Sequence, residues 1–153
     1  MLLRRATSAD IPNMRELEQH SETAAHWNSA QYDALFAADA RTRIALIAGE
    51  PSTEPVIQGF LIARCLLDEW EIENIIVDKR LRRSGVGSSL VRELLAEASK
   101  AGVGSVILEV RESNLPALRL YESIGFKAGG LRKNYYQHPA EDAVLYSLSI
   151  ADL

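Results

Sequence analysis

The sequence predicts an α+β (mixed α/β) fold in one domain that spans residues 1–153, and three observations support this prediction. Apolar segments in the first half alternate with polar turns, which is typical of antiparallel strands. Segments in the second half follow the order strand, helix, strand, helix, strand, which places helices on both faces of one sheet. The chain is also 47% hydrophobic over 153 residues, enough to bury roughly two thirds of its unfolded surface in a single core.

The chain opens with a short strand and a helix. Residues 2–5 form the predicted strand. Ile11, Met14 and Leu17 then recur at helical spacing, and Pro12 suits the first turn of that helix. A weaker helical pattern at 31–38 predicts a second, short helix.

The next three predicted strands form an antiparallel meander. They lie at 43–49, 56–67 and 70–77, and the first two are joined by the polar turn 50–55. Loops of the preceding region, between the first two strands of the chain, lie beside the sheet. We therefore expect a substrate to contact the protein there.

The long helix predicted at 86–101 carries one apolar stripe and ends at a glycine. The stripe consists of Val86, Leu90, Leu94 and Ala98. A strand at 105–110 follows, and a helix capped by Asn114 comes next. That helix has apolar residues at helical spacing and ends at Gly125. Strands from Phe126 and at 143–150 finish the chain.

The turn between the strand 70–77 and the long helix has the composition of a phosphate site. It reads R-R-S-G-V-G from Arg82 to Gly87. Two glycines let main-chain N–H groups approach an anion, and a helix start adds its positive dipole end. A Walker loop would need Lys after Gly87, and a dinucleotide fingerprint would need Gly in place of Leu90, so neither fits. An ordinary turn with a solvated basic face remains the alternative.

Two residues of the last third are candidate proton-transfer groups. Glu109 lies on the opposite strand face from Val106, Leu108 and Val110, and a carboxylate in an apolar strand is costly unless it is partnered or functional. The alternative is a glutamate that reaches solvent or an arginine. Tyr121 continues the apolar stripe of its helix, and its alternative role is that of a core aromatic.

Composition limits the cell compartment and the partners. The single cysteine, Cys65, excludes an intramolecular disulfide and a cysteine metal cluster, and its apolar flanks indicate a packed thiol. The first residues lack an apolar stretch long enough for a signal peptide or a membrane span, so we expect a cytoplasmic protein. The net charge of −4 argues against a nucleic-acid surface and suits a basic substrate.

Three motifs together resemble the GCN5-related N-acetyltransferase (GNAT) superfamily, and most closely its bacterial ribosomal-protein-alanine N-acetyltransferases. They are R-R-S-G-V-G, E-V-R-E-S-N (109–114) and L-Y-E-S-I-G-F (120–126), and the similarity extends to R-K-N-Y-Y (132–136) and E-D-A (141–143). The resemblance covers roughly 70–148. It implies a central, mostly antiparallel twisted sheet of about seven strands, splayed between the fourth and fifth strands, with helices on both faces.

The resemblance also implies roles for individual residues, with acetyl-CoA as cosubstrate and no metal. Main chain at Ile75, Ile76 and Val77 would hold the acetyl and pantetheine end, and Asn114 would contact the pantetheine arm. The pyrophosphate would bind at Arg82, Arg83, Ser84, Gly85, Val86, Gly87 and Ser88. Glu109 would be the general base and Tyr121 the general acid. Cys65 lies outside these motifs, so we expect direct transfer without a covalent acetyl-enzyme.

The acceptor is predicted to be a primary amine, with the N-terminal α-amine of a protein, such as a ribosomal protein, as the first choice. An enzyme that acetylates a small amine is the main alternative, and a non-catalytic acyl-CoA-binding module is another. Such a module would not need both Glu109 and Tyr121. The dipeptide His26-Trp27 departs from the proline-tryptophan pair common in the closest subfamily. His20 and His26 are expected to be surface histidines.

Overall fold

A computed structural model describes residues 1–21, 27–37, 42–50 and 56–153. Its centre is one seven-stranded sheet with the strand order β1-β2-β3-β4-β5-β7-β6. The pair of β4 and β5 is parallel, and the other neighbours are antiparallel. The strands are β1 (Leu2–Arg5), β2 (Arg43–Glu50), β3 (Val56–Leu66), β4 (Glu69–Val77), β5 (Ser105–Arg111), β6 (Lys127–Gln137) and β7 (Ala140–Ser149).

Four α-helices accompany the sheet in the described part of the chain: α1 (Ile11–Gln19), α2 (Ser29–Ala34), α3 (Val86–Lys100) and α4 (Leu115–Ile124). Short 3-10 turns add Ser8–Asp10, Lys79–Leu81 and Ile150–Asp152. The predicted mixed α/β class, with a mostly antiparallel sheet of about seven strands, is therefore confirmed.

Two apolar clusters lie on opposite faces of the sheet. The larger one joins α3 and α4 to the sheet through residues such as Leu61, Leu90, Leu94, Val106 and Leu108. The smaller one joins α1 and α2 to the other face through Met14, Tyr32, Phe60, Ile62 and Ile76. The prediction of helices on both faces is confirmed, and the sheet is the wall between the two clusters.

The predicted stripe of α3 is buried at every position. Val86, Leu90, Leu94 and Ala98 are each at most 4% exposed. Gly102 follows the helix with φ of +74°, a left-handed conformation that non-glycine residues rarely adopt. The apolar periodicity and the terminating glycine therefore predicted this helix correctly.

Several predicted boundaries differ from the structure. α2 ends at Ala34 because the chain continues in tighter turns, in which Leu35 N–H donates to the Tyr32 carbonyl at 3.2 Å. The predicted end at Ala38 and most of the turn 50–55 lie outside the described residues. Leu115, the first residue of α4, is 53% exposed, so it does not extend the buried side of the helix to which Tyr121 belongs. β7 begins at Ala140, three residues before the predicted start.

A buried ion pair fixes the entry to α1. The Arg4 guanidinium donates two hydrogen bonds to Asp10, at 2.8 and 2.7 Å, and Thr7 N–H donates a third at 2.8 Å. Asp10 is 4% exposed. The hydrogen bond from Arg4 is the largest cause that lowers the pKa of Asp10 below its ordinary value of 3.8.

We predict that Asp10→Asn lowers the free energy of unfolding by about 1–3 kcal/mol at pH 7, because charge-assisted hydrogen bonds are lost. A lowered folded-state pKa stabilises the fold above the ordinary value and ceases to do so as pH falls through the lowered value. The difference between wild type and variant should therefore shrink below pH 3.8. Urea unfolding across this range measures it, with exposed Asp33→Asn as the control. A difference that does not depend on pH would contradict this account.

Candidate active site

A cleft opens where β4 and β5 stop pairing. Their parallel ladder runs from Glu69 and Ser105 to Ile72 and Leu108, although β4 continues to Val77 and β5 to Arg111. The facing main-chain edges beyond Ile72 and Leu108 have no ladder between them. The splay expected between the fourth and fifth strands is therefore present.

A bulge in β4 marks the start of this cleft. In the pairing with β3, Ala63 faces Ile72 whereas Ile62 faces Asn74, so Glu73 is the extra residue. Beyond the bulge, Ile76 belongs to the cluster beneath α1 and α2, and Ile75 packs on the other cluster. The side chains of both residues are thereby anchored, which leaves their main chain at the cleft. Their predicted contact with acetyl-CoA stays a prediction.

The start of α3 presents unpaired main-chain donors. Gly85 is the N-cap, and no side chain caps the helix. The first N–H that bonds within the helix is that of Ser89, which donates to the Gly85 carbonyl at 3.0 Å. The N–H groups of Val86, Gly87 and Ser88 precede it and are available to an anion at the positive end of the helix dipole.

The two glycines of this turn are required for different reasons. Gly85 has φ of +89°, and a Cβ built there would meet nothing within 4 Å, so its backbone conformation is the constraint. Gly87 is helical, and a Cβ there would lie 3.3 Å from Leu120 Cδ2 and 3.6 Å from Val77 Cγ2. Gly87 thus allows α3 to pack closely against α4 and β4. The sequence predicts anion approach as the reason for both glycines, and the structure adds packing as a reason for Gly87.

Two arginines of the turn are available to a ligand. Arg82 and Arg83 are exposed, and neither forms an ion pair with the residues that the structure describes. Arg80 is already engaged, because its Nη2 lies 2.8 Å from Asp78 Oδ2. Ser84 donates its hydroxyl to the Leu81 carbonyl. The predicted phosphate loop therefore combines free amides with two uncommitted positive charges.

Asn114 lies at the end of β5 and caps α4. Its Oδ1 accepts a hydrogen bond from Ala117 N–H at 3.3 Å, as the sequence predicted. This bond fixes the side chain and leaves the Nδ2 donors for another partner. An amide donor suits a carbonyl oxygen, which agrees with the predicted pantetheine contact without testing it.

Glu109 lies on the sheet face that α1 and α2 cover in part. Its neighbours Leu108 and Val110 belong to the cluster on the other face. The carboxylate is 18% exposed, and its Oε1 lies 3.0 Å from Arg132 Nε. The structure thus provides the arginine partner that the sequence had left as an alternative, and the carboxylate still reaches the surface.

Tyr121 lies on the opposite face of the sheet, in the cluster beneath α3 and α4. Its ring packs against Phe126 and Tyr146, at centroid distances of 5.6 and 6.3 Å, so it is a core aromatic as well as a candidate acid. Burial, and secondarily the nearby Tyr136, raise the pKa of Tyr121 well above its usual value. Burial also raises the pKa of Tyr136 to about 12, and Glu109 contributes to that shift. Tyr136 therefore lies within electrostatic range of both candidate groups.

The β6–β7 hairpin is fastened to the end of β5. Arg111 stacks its guanidinium over the Tyr136 ring at 4.3 Å and donates to the Pro139 carbonyl at 3.0 Å. Glu141 accepts a hydrogen bond from Ser113 N–H at 2.6 Å. These contacts bring Arg132, Tyr135 and Tyr136 beside Glu109. None of these hairpin residues has a role predicted from the sequence, although the R-K-N-Y-Y stretch is part of the resemblance.

A buried carboxylate of α1 contacts α2 and the residue two positions before it. Glu18 is 4% exposed and accepts hydrogen bonds from the Tyr32 hydroxyl and from Trp27 N–H. His20 is exposed, as predicted, and lines a cavity of about 590 Å³ between α1 and the turn after β4. His26 lies outside the described residues. Polar and apolar groups thus line a cavity that borders the region where the substrate was expected.

The described residues contain no helix long and apolar enough to cross a membrane. In the same ranges, no three His, Cys, Asp or Glu side chains are grouped so that they could hold a metal ion.

The family follows from a comparison with known sequences. The model of the acetyltransferase (GNAT) family matches residues 11–126, which is most of the chain. The chain belongs to this family. The residues matched include β2 to β5, α3, α4 and both candidate catalytic positions, so the cleft lies within the GNAT match.

Named relatives agree with this assignment. The chain is 43% identical, over 95 residues, to the ribosomal protein bS18-alanine N-acetyltransferase of Escherichia coli strain K12, an alignment that covers 61% of this GNAT chain and 64% of that relative. It therefore spans less than two thirds of the length of the curated relatives that it matches. The crystal structure of the ribosomal-protein-alanine N-acetyltransferase from Escherichia coli matches with a TM-score of 0.83 and 30% identity, over 97% of this chain and 93% of that one.

A more distant structure shares the fold. Arabidopsis thaliana NAA60, in complex with acetyl-CoA, matches with a TM-score of 0.86 at 18% identity over 98% of each chain. Such a low identity supports the GNAT fold alone. The arrangement of the sheet and helices is therefore kept over almost the whole chain, including parts where the sequences have diverged.

Proposed function

We propose that this protein is an acetyl-CoA-dependent N-acetyltransferase that moves acetyl directly to the N-terminal α-amine of a protein. The observation that carries the proposal is the cleft beyond Ile72 and Leu108, which ends at the free amides of α3 and has Glu109 on one face and Tyr121 on the other. If the thioester of acetyl-CoA lies in this opening, Glu109 is on the side of the attacking amine and can act as the base. Tyr121 is then on the side of the departing thiol and can act as the acid. Membership of the GNAT family supports the same reading.

The proposed cofactor contacts follow the cleft. Main chain at Ile75, Ile76 and Val77 holds the acetyl and pantetheine end as an added strand would, because this edge of β4 has no ladder partner in β5. Asn114 contacts the pantetheine arm. The pyrophosphate binds the turn and helix start made of Arg82, Arg83, Ser84, Gly85, Val86, Gly87 and Ser88.

The proposed reaction is a direct acyl transfer. An ammonium has no lone pair, so Glu109, directly or through water, first accepts one proton from it. The amine nitrogen then attacks the thioester carbonyl carbon, and a main-chain N–H near Val77 stabilises the oxyanion. The C–N bond forms, the C–S bond breaks, and the electron pair of the C–S bond goes to sulfur.

Protons balance in the same step. The nitrogen loses two protons in going from ammonium to amide. The first reaches solvent through Glu109, and the departing thiolate takes a proton from Tyr121. The second nitrogen proton is lost to solvent as the C–S bond breaks, and Tyr121 regains a proton from solvent. Burial keeps Tyr121 in its neutral form, since its pKa lies well above the usual value. The products are the acetylated amine and coenzyme A.

Three lines of support favour a protein N-terminus as the acceptor. The relatives of highest identity reported above acetylate an alanine of a ribosomal protein, by their names. An α-amine has a pKa of about 8, against about 10.4 for lysine, so it demands less of the base. The chain is acidic, with a net charge of −4, which suits a basic protein substrate. We place the reaction in the cytoplasm, because this reducing compartment keeps a single cysteine as a free thiol.

Turnover of a substrate panel tests the proposed function. Peptides that start with alanine or serine and carry nearby basic residues should be acetylated at the α-amine, as read by intact mass and fragmentation. The panel also contains N-terminally blocked lysine peptides, free amino acids and polyamines. Better turnover of the free small amines would replace the proposal with a small-molecule acetyltransferase. Cofactor binding without turnover of any amine would indicate a binding module.

The phosphate site has its own test. We predict that Ser88→Asp weakens acetyl-CoA binding at least roughly tenfold, because a negative charge would stand among the amides that hold the pyrophosphate. The same charge favours the start of α3, so loss of binding would not reflect a weakened helix. Calorimetry measures the affinity, with Ser88→Ala as the matched control. Equal affinities for the two variants would reject the pyrophosphate assignment.

The base is tested by its pH dependence. Glu109→Gln keeps the size of the side chain but cannot take a proton at neutral pH, so turnover should fall roughly 10²–10⁴-fold while acetyl-CoA affinity stays near that of wild type. Raising the pH toward the α-amine pKa of about 8 should restore part of the rate, because solvent then supplies neutral amine. Exposed Glu112→Gln is the control. Near-native turnover of Glu109→Gln would leave Glu109 as a structural partner of Arg132.

Substitution of the proposed acid, Tyr121, should affect turnover in a different way. Tyr121→Phe should bind acetyl-CoA and lose turnover, but high pH should not restore its rate, since the missing proton belongs to the departing thiolate. The effect should be smaller than that of Glu109→Gln, because a thiolate leaves readily without a proton. Tyr146→Phe is the matched control, since it removes a neighbouring hydroxyl that bonds Glu122 at 2.8 Å instead. A full rescue of Tyr121→Phe at high pH would contradict the assignment.

A further inference from the structure

The candidate base is neutralised by a permanent cation. Arg132 Nε lies 3.0 Å from Glu109 Oε1, and a guanidinium keeps its charge at every physiological pH. The contact uses one oxygen of the carboxylate. Arg132 is 56% exposed, so it lies at the surface of the cleft and not beneath it.

The hairpin holds Arg132 in this position. β6 and β7 lose register between Arg132 and Tyr136, where Asn134 has φ of +53° and donates its N–H to Asp142 at 2.8 Å. The Arg132 guanidinium also lies over the Tyr135 ring at 5.5 Å. The bulge and the ring together direct the positive charge toward Glu109.

The surrounding charges leave no surplus. On β4, Glu71 is near Glu109 but has its own partner, because Arg64 lies 3.5 Å away on β3. Glu73, which also lies near Glu71, is paired with Arg43 at 2.9 Å. Three carboxylates and three guanidinium groups therefore form three ion pairs. Tyr135 and Tyr136 on the same side are neutral, and Arg111 is engaged by the hairpin. An approaching ammonium meets no net negative charge at the base.

We propose that Arg132 is a specificity-determining residue that makes the enzyme prefer α-amines to lysine side chains. This inference rests on the proposed function. With the charge of Glu109 balanced, the site adds little attraction for an ammonium, so each amine reacts in proportion to how readily it gives up its proton to Glu109. At pH 7.5 roughly a quarter of an α-amine is neutral, against roughly one part in a thousand of a lysine amine. The α-amine therefore demands less of the base than lysine does.

Removing the charge should relax this selection. In Arg132→Gln, the unbalanced carboxylate attracts the lysine ammonium into the site and then takes its proton. Because Arg132 is largely exposed and its field is screened by water, we expect the ratio of kcat/KM for lysine to that for the α-amine to rise roughly threefold to tenfold. Arg132→Lys keeps the charge and should leave the ratio within about twofold of wild type.

The test uses two peptides of one sequence at pH 7.5. One has a free N-terminal alanine and no lysine, and the other has a blocked N-terminus and one lysine. Turnover of both is measured for wild type, Arg132→Gln, Arg132→Lys and Lys133→Gln. Lys133→Gln is the matched control, since it makes the same charge change on the same strand, and Lys133 has no ion pair within the described ranges. Acetyl-CoA affinity, measured for each variant, verifies folding.

The outcomes separate this inference from the proposed function. A wild type that prefers the lysine peptide rejects both. A wild type that prefers the α-amine, with an unchanged or lower ratio in Arg132→Gln, rejects the role of Arg132 alone. An equal rise in Lys133→Gln also rejects it, because the effect would then come from net charge. A rise confined to Arg132→Gln that diminishes at high salt supports the role.

Discussion

The early end of the β4–β5 ladder is the constraint on which the site depends. Unpaired main-chain groups in a sheet interior are costly, so two adjacent strands that separate after four paired residues need another partner for their edges. The β4 edge after Ile72 and the β5 edge after Leu108 supply donors and acceptors in an order that an extended ligand can match. A continuous ladder would remove both the cleft and the passage between the two faces.

Contacts at both ends hold this opening in place. At the closed end, the Asp68 carbonyl accepts hydrogen bonds from the N–H groups of Gly104 and Ser105, at 3.0 and 3.2 Å, and its carboxylate accepts a further one from Gly104 at 2.9 Å. At the open end, Glu141 accepts Ser113 N–H and ties the hairpin to the end of β5. The strands can therefore diverge between two fixed points without loosening the sheet.

The sequence predicted those features of the fold that depend on neighbouring residues along the chain. The stripe of α3, the alternation of Val106, Leu108 and Val110, and the cap by Asn114 depend on local periodicity or on a partner three residues away. The ion pair of Arg132 and Glu109 joins β6 to β5 across 23 residues of sequence and depends on a register shift in the hairpin, which no local pattern reports. The role of Gly87 was likewise hidden, because its close neighbour Leu120 comes from α4.

The two faces of the sheet give the two candidate catalytic groups opposite surroundings. Tyr121 lies among aromatic rings, where burial favours the neutral phenol and retains the proton that a thiolate needs. Glu109 lies among charged side chains, where the Arg132 guanidinium balances the charge of the carboxylate. The proposed acid is thus surrounded by buried rings, and the proposed base faces a paired charge. The sheet keeps these environments apart, and the cleft is the place where they meet.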